Sequence, residues 1–407
     1  MHPDHDPPKQ AVTAFVDRLT EALAERPDPA GAATLQLPER LPDDGVGEGA
    51  ALDLMGSILL DGATQLHHPG FFGHMDPPTP WITWVTSLWA AALNQNLLHD
   101  DTAPAARPLE RQVVDWLTPH FGMTGGHVVP GSTLANLTAL WAARDIAGVR
   151  RVVSSTKAHL SIQKSARILG LDFAEVAAGA DHRIDGGALG DLSDAALVVT
   201  AGTTATGAVD DMSAGADAAW RHVDAAWAGP LRLTDRHARL LDGVETADSV
   251  AFSAHKWCYQ PKESALVMFA DTDAAHAALA FGSGYLAHPN VGVLGSHGAA
   301  PAAALAVTLL AWGRRGLASR IEADMANAEE LARLIDATPR LELWGRPTTG
   351  IVVWRPQAED AASVRARMQG VYVSLTEVDG EQWFRSVAAN PSADPRRVVA
   401  AALDVAR

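Results

Sequence analysis

An α/β fold built around a mostly parallel sheet is the architecture this sequence predicts, on three observations. Short apolar runs rich in β-branched residues recur through the middle of the chain: "RRVVSS", "ALVVTA", "RHVDAA" and "SVAFSA". Stretches of helical periodicity separate them, and strands alternating with helices imply parallel pairing through crossover connections. The chain is 407 residues long, too much for one small core, which points to two or three domains.

Taken in order, Ala11 to Ala24 has helical spacing, and a Pro/Gly/Asp-rich link runs from about Arg26 to Gly49. Helices are expected over Ala50–Leu66 and Trp81–Leu98, split by the stiff turn "HPGFFGHMDPPTP". The four strands above follow. "SALVMFA" comes too soon after "SVAFSA" for a crossover helix, so that pair is expected to be antiparallel. A long helical region from about Leu305 to Ile335 leads into "LELWG", "GIVVWRP", "VYVSLTEV" and "WFRSVAA", closed by a helix over Asp394–Ala406. The expected division is an N-terminal helical segment over 1–75, a large α/β domain over 76–305 and a small α+β domain over 306–407.

Composition narrows the function classes. Hydrophobic residues at 47% and charged residues at 20% describe a globular protein, and the formal charge of −16 argues against nucleic acid and anionic membranes as partners. The single cysteine, Cys258, excludes an internal disulfide and a thiolate-rich metal site, so no metal is expected. No stretch reaches the ~18 apolar residues of a membrane span. The polar, Pro-rich start "MHPDHDPPKQ" reads as a tail and not as a targeting peptide, and a cytoplasmic location is the expectation.

In parallel sheets, ligands collect at the C-terminal strand ends, so polar residues there carry information. "PGSTLAN" offers Gly131, Ser132 and Thr133 at a helix start, where free N–H groups suit a phosphate; taken alone, the hydroxyls are better explained by a plain N-cap at Ser132 or Thr133. "AGTTATG" contributes Thr203 and Thr204. Asp224 sits inside an apolar strand, which demands a cation: a buried ion pair or a protonated heterocycle nitrogen. Lys256 ends the next strand, after Ser253 and His255; shielded from water, a lysine becomes a nucleophile, whereas in solvent it merely snorkels. His159 offers a flat face that could cover a ring, or is an ordinary core histidine. A phosphate cradle, an acid for a ring nitrogen and a strand-end lysine together are what pyridoxal 5'-phosphate needs.

In these residues the chain resembles the group II pyridoxal-phosphate-dependent amino-acid decarboxylases, the glutamate, cysteine-sulfinate and aromatic-amino-acid enzymes. The resemblance runs from His68 to the C-terminus through "HPGFFGHM", "LNQNLLHDDTAPAARPLERQVVDWL", "TAGTTATGAVDD", "HVDAAWAGP", "LLDGVETADSVAFSAHKW" and "WFRSVAANPSAD", in order and spacing. It implies the aspartate-aminotransferase-like fold (fold type I) and a homodimer with shared active sites. Lys256 becomes the lysine that bonds the cofactor and Asp224 the partner of its ring nitrogen. Ala226 lies under the ring and His159 above it. Ser132, Thr133, Ser253 and His255 hold the phosphate, Thr204 lies near the phenolic oxygen, and Ser296 joins the cofactor contacts. Tyr285 is the catalytic-loop tyrosine that reaches the neighbouring subunit, and Arg385 the substrate-carboxylate arginine.

This chain departs from the family pattern at three points. The loop after Tyr285 is short, Leu134 stands where Glu is usual, and His74 stands where the glutamate and cysteine-sulfinate enzymes have Gln. His74 is therefore a substrate-side position without their distal-carboxylate group. Trp81, Trp84 and Trp89 are expected to pack the dimer. The expected reaction is α-decarboxylation of an L-amino acid to an amine and carbon dioxide. The alternatives are another fold-type-I reaction (carbon–carbon lyase, aminotransferase, oxidative deaminating decarboxylase) and a non-catalytic cofactor-binding regulatory module. Tyrosine at 285 argues against aldehyde formation, which the family associates with phenylalanine there.

Overall fold

Strands that are apolar on both faces must be covered on both faces, and the computed structural model, which describes residues 9–24, 26–31, 35 and 37–406, buries them at the centre of a seven-stranded sheet. The start read as a tail falls largely in residues 1–8, outside the described residues. Helices α1 (Lys9–Ala22) and α2 (Glu48–Gly56) precede a short strand β1 (Phe71–Phe72). Helices α3 (Trp81–Leu93) and α4 (Ala106–Leu117) lead into β2 (Gly125–Val129), α5 (Ser132–Ala147), β3 (Arg151–Ser155), α6 (Ser161–Leu169) and β4 (Asp172–Val176). Strands β5 (Ala195–Thr200), β6 (Trp220–Ala225), β7 (Ser249–Ser253) and β8 (Ala265–Phe269) complete the large sheet.

The sheet order is β2-β8-β7-β6-β5-β3-β4, parallel from β7 to β4, with β8 antiparallel to both its neighbours. Alternation along each strand feeds two cores. Leu197, Val199, Val223, Val250 and Phe252 face one layer, with Val113 and Val114 of α4. Ala196, Val198 and Ala251 face the other, with Ala135, Ala139 and Leu140 of α5. The fold is thus α/β with helices on both faces of the sheet.

Past β8 the chain forms α7 (Thr272–Ala278), β9 (Ala280–Phe281), β10 (Asn290–Val291) and the long helix α8 (Ala300–Asp336). Strands β11 (Leu341–Leu343) and β12 (Ile351–Pro356), helix α9 (Ala361–Arg365), strands β13 (Tyr372–Val378) and β14 (Glu381–Val387) and helix α10 (Pro395–Val405) follow. They make a five-stranded sheet, β1-β13-β14-β12-β11, in which β1 runs parallel to β13 and the other pairs are antiparallel. Its core takes Leu331 and Ile335 from α8, Val364 from α9 and Val398 from α10.

Three helix limits differ from the periodicity. The segment expected to be helical to Leu66 leaves the α-helix at Gly56 and ends in a wider π turn over Ser57–Asp61. There the Arg26 guanidinium donates to the carbonyls of Leu60, Asp61 and Ala63, taking acceptors a continuing helix would use. Helix α3 stops at Leu93, not Leu98, because Asn94 turns left-handed (φ 44°), as asparagine tolerates. Helix α8 is broken at Gly313 (φ 60°, ψ 178°), where only glycine is at ease. Strands β2 and β4 carry no apolar run to reveal them: "GGHVV" opens on two glycines, and "DFAEV" is a half-exposed edge.

Candidate active site

Parallel register brings the polar strand ends together. Thr200 at the end of β5 pairs directly with Asp224 near the end of β6, and β7 ends beside them at Ser253. Below these ends lies a cavity of about 400 Å³, lined by Ser132, Thr133, His159, Thr204, Asp224, Ala226, Ser253, His255 and Lys256. Residues spread over 125 positions of sequence thus meet in one space. Thr203 does not line it: its hydroxyl accepts from the Ala208 N–H (3.1 Å) and pairs with Thr206, holding the turn.

One end of the cavity suits an anion. The first bonds of α5 run from the Leu134 and Ala135 N–H groups to the Gly131 carbonyl, so the earlier N–H groups of the helix start are left for a ligand. A side chain on Gly131 would enter open space at the cavity wall. The Ser132 and Ser253 hydroxyls touch across the base of this end. His255 donates from Nδ1 to the Ser264 carbonyl (2.9 Å), and burial pulls its pKa to about 4.

Other residues of the same wall suit a cation. Asp224 is 4% exposed, and its Oδ1 accepts from the Ala226 N–H (3.1 Å) and its Oδ2 from Asn136 Nδ2 (3.0 Å). Lys256 keeps some surface as a residue, but its amine is enclosed. Burial therefore lowers its pKa to about 8, against the pull of Asp224, so a substantial neutral fraction exists near neutral pH. His159 is lowered from its ordinary value chiefly by burial; its Nδ1 receives the Ser161 hydroxyl (2.8 Å) and N–H (3.2 Å). Trp227 and Trp257, next to Ala226 and Lys256, stack at 4.1 Å. Each is pinned by the smaller sheet's side of the chain, Trp227 to Thr349 (3.1 Å) and Trp257 to the Ala388 carbonyl (3.1 Å).

The remaining predicted residues lie off the cavity wall. Arg385 is 6% exposed on β14, and its Nε has no hydrogen-bond partner. Burial lowers its pKa to about 10, with Asp76 opposing. His74 is left-handed (φ 48°) and near Tyr372 OH (3.3 Å), while its N–H donates to Ser374 (3.0 Å). Asp76 forms an ion pair with Lys262. Tyr285 is 70% exposed, its ring 6.2 Å from that of His99, and Ser296 accepts from Asn96 Nδ2 (3.2 Å).

Sequence reading missed Thr200, whose buried hydroxyl has no partner at the cavity wall, and the pair Asn136 and His222 behind Asp224. Signals for the pair existed. His222 and Asp224 are two apart on a strand, hence on one face, and an asparagine inside an apolar helix face runs against propensity. Among the described residues no cluster has the makings of a metal site, and no helix is long and apolar enough to cross a membrane.

The residues present fit pyridoxal phosphate: an anion cradle open at Gly131, an unpartnered Thr200 hydroxyl, a small floor at Ala226, and Asp224 and Lys256 in the same space. Comparison with known proteins agrees. The profile of the pyridoxal-dependent decarboxylase conserved domain matches residues 31–357. An L-2,4-diaminobutyrate decarboxylase of Rhizobium meliloti is 32% identical over 405 residues, covering 87% of this chain and 81% of that protein. The glutamate decarboxylase domain of the diaminobutyrate-pyruvate transaminase and L-2,4-diaminobutyrate decarboxylase from Vibrio parahaemolyticus superposes with a TM-score of 0.83 at 23% identity, over 97% of this chain and 94% of that one. The Oryza sativa TDC bound to PLP and tryptamine does so at 0.86 and 23%, over 97% and 95%. At those identities the two structures speak for the fold.

Proposed function

The chain belongs to the family of pyridoxal-dependent decarboxylases and is a pyridoxal-phosphate-dependent amino-acid decarboxylase; we propose the following roles for its residues, carried above all by the enclosed Lys256 amine sharing one cavity with Asp224. Bound there, pyridoxal phosphate supplies the electron sink for the pair released when the bond from Cα to the carboxylate breaks. Lys256, with its enclosed amine, would be the residue that bonds the cofactor. Asp224 keeps a proton on the ring nitrogen by opposing its charge. Ser132, Thr133, Ser253 and His255, with the free N–H groups of α5, take the phosphate, and Thr204 lies by the phenolic oxygen. Ala226 would leave room below the ring and His159 would cover its other face.

Arg385 meets the substrate carboxylate: a buried guanidinium with a free N–H attracts an anion. His74 borders the substrate side chain. Tyr285 and Ser296 stand away from the cavity of their own subunit, which supports a homodimer in which they serve the partner's site, Tyr285 returning the proton to Cα. Trp81, Trp84 and Trp89, exposed along α3, would cover one another in that dimer. The N-terminal segment 1–75, the large domain 76–305 and the small domain 306–407 are the proposed units, and the cytoplasm the proposed location.

Two measurements test this reading. Carbon dioxide release from a panel of L-amino acids, beginning with L-2,4-diaminobutyrate, for which the Rhizobium meliloti relative is named, is expected for at least one member; amino-group transfer or aldehyde instead of amine would overturn simple decarboxylation. Mixing inactive Lys256→Ala and Tyr285→Phe subunits is expected to restore part of the activity, because one site of the mixed dimer then has both residues native. No recovery on mixing would place Tyr285 in its own subunit's site.

A further inference from the structure

Behind Asp224, Asn136 and His222 are both fully buried and outside the cavity wall, so neither can touch cofactor or substrate. The hydrogen bonds joining them admit one arrangement of protons. A carboxylate accepts, so Asn136 must turn its Nδ2 to Asp224 Oδ2 (3.0 Å); its second N–H goes to Ser161 Oγ (2.9 Å). That orientation aims Asn136 Oδ1 at His222 Nε2 (2.9 Å), and since a carbonyl oxygen also accepts, the imidazole carries its proton on Nε2. Burial keeps the ring neutral, with a pKa of about 4, so Nδ1 accepts from the Ser249 hydroxyl (2.9 Å). The Ser249 oxygen in turn receives the Trp220 indole N–H (2.8 Å). The branch through Ser161 ends at His159 on the cavity wall: the Ser161 hydroxyl is left to donate to His159 Nδ1 (2.8 Å).

We propose that Asn136 and His222 are positioning residues for the reaction, the one-way chain Trp220–Ser249–His222–Asn136 holding the Asp224 carboxylate in register with a fixed donor on Oδ2 so that its remaining lone pairs meet the cofactor's ring nitrogen. The inference rests on Asp224 being that partner. Four polar side chains buried in an otherwise apolar layer carry a high cost unless every bond is made, and here the bonds that join the four all run one way, toward Asp224. The Ser161 branch gives the same amide a second task, since it leaves the His159 proton on Nε2.

Two substitutions of similar bulk separate this role from packing. In His222→Gln the amide N–H replaces the Nε2–H; in His222→Leu no donor remains. His222→Gln is expected to bind pyridoxal phosphate close to the wild-type affinity. His222→Leu is expected to bind about ten- to a hundredfold more weakly, the scale of a lost hydrogen bond feeding a charged group. Bound ¹⁵N-pyridoxal phosphate should report a protonated ring nitrogen in the wild type and His222→Gln, and a partly deprotonated one in His222→Leu. Equal affinity and equal ¹⁵N shift in the two variants would overturn the proposal. Should His222→Leu fail to fold, ¹⁵N-histidine NMR of the wild-type apoprotein decides alone: Nε2–H tautomers at His222 and His159 support the chain, and an Nδ1–H tautomer at His222 refutes it. Asp224→Ala serves as the control. If it leaves the ring nitrogen protonated, the reading of Asp224 itself fails; if it deprotonates the nitrogen while His222→Leu does not, only the present proposal falls.

Discussion

The floor of the site and its mouth are built on opposite terms. On the floor, Asp224, Asn136, His222 and Ser249 sit on strands and one helix of the large sheet, and every polar side-chain atom the chain of bonds passes through is paired. At the mouth, Arg385 keeps an unpartnered N–H, while His74 and Glu263 hold left-handed backbones (φ 48° and 67°) that cost non-glycine residues ~1 kcal/mol or more. A carboxylate held by a saturated network keeps one geometry. An unpartnered guanidinium N–H keeps its bonding capacity for an anionic group of a ligand. The difference supports the proposed roles, Asp224 fixed to hold the cofactor's ring nitrogen and Arg385 left free to meet the substrate carboxylate.

Substitutions on the floor should therefore reduce turnover for every substrate alike. Lys256→Ala is the largest expected effect, a loss of at least about 10⁴-fold, on the scale of removing a nucleophile that works as part of a unit. Borohydride should fix cofactor to Lys256 in the wild type, and peptide mapping that finds it on another lysine would break the assignment. Asp224→Ala should retain some cofactor but lose about 10²- to 10³-fold in kcat, comparable to removing one preorganised electrostatic group. Turnover near the wild-type value would reduce Asp224 to a structural part. Arg385→Ala tests the mouth. A drop in kcat/KM of about ten- to a hundredfold, carried mainly by KM, is expected from losing one charge-assisted contact. If kcat fell instead with KM unchanged, the division between floor and mouth would be wrong.

The smallest effect is in pH. Burial brings the Lys256 amine down to about 8, so its neutral, nucleophilic form is the minority at pH 7 and the majority above pH 8. Capture of pyridoxal phosphate by the apoprotein should accelerate by about tenfold between pH 7 and 8.5 and then level off. A rate that keeps climbing toward pH 10 would mean a solvated lysine.

Much of the floor was readable before any coordinates. Asp224 and Lys256 stand out because charge inside or at the end of an apolar strand contradicts its surroundings, while "PGST" before a helix, a plain N-cap when taken alone, gains meaning only beside them. His222 and Asn136 were overlooked because a histidine or asparagine is unremarkable alone; only the strand pairing and the approach of α5 give each its partner. At the mouth, sequence order said little. Met75, Lys262 and Glu263 reach the cavity from turns whose backbone no periodicity describes.

What the sequence determined by itself is the alternation of strands and helices, the antiparallel return at "SALVMFA", and the residues whose chemistry is out of place in a core. Those follow from local propensity and the cost of burying charge, which act over a few residues. Tertiary structure alone decided that Thr200 lies beside Asp224, that Asn136 faces His222, and that Arg26 ends a helix more than thirty residues away by occupying its carbonyls. It also decided that Gly313 breaks α8 and that β1, early in the chain, completes the sheet near its end. Register, helix approach and long-range hydrogen bonds depend on which surfaces meet, and no window of the sequence contains both partners.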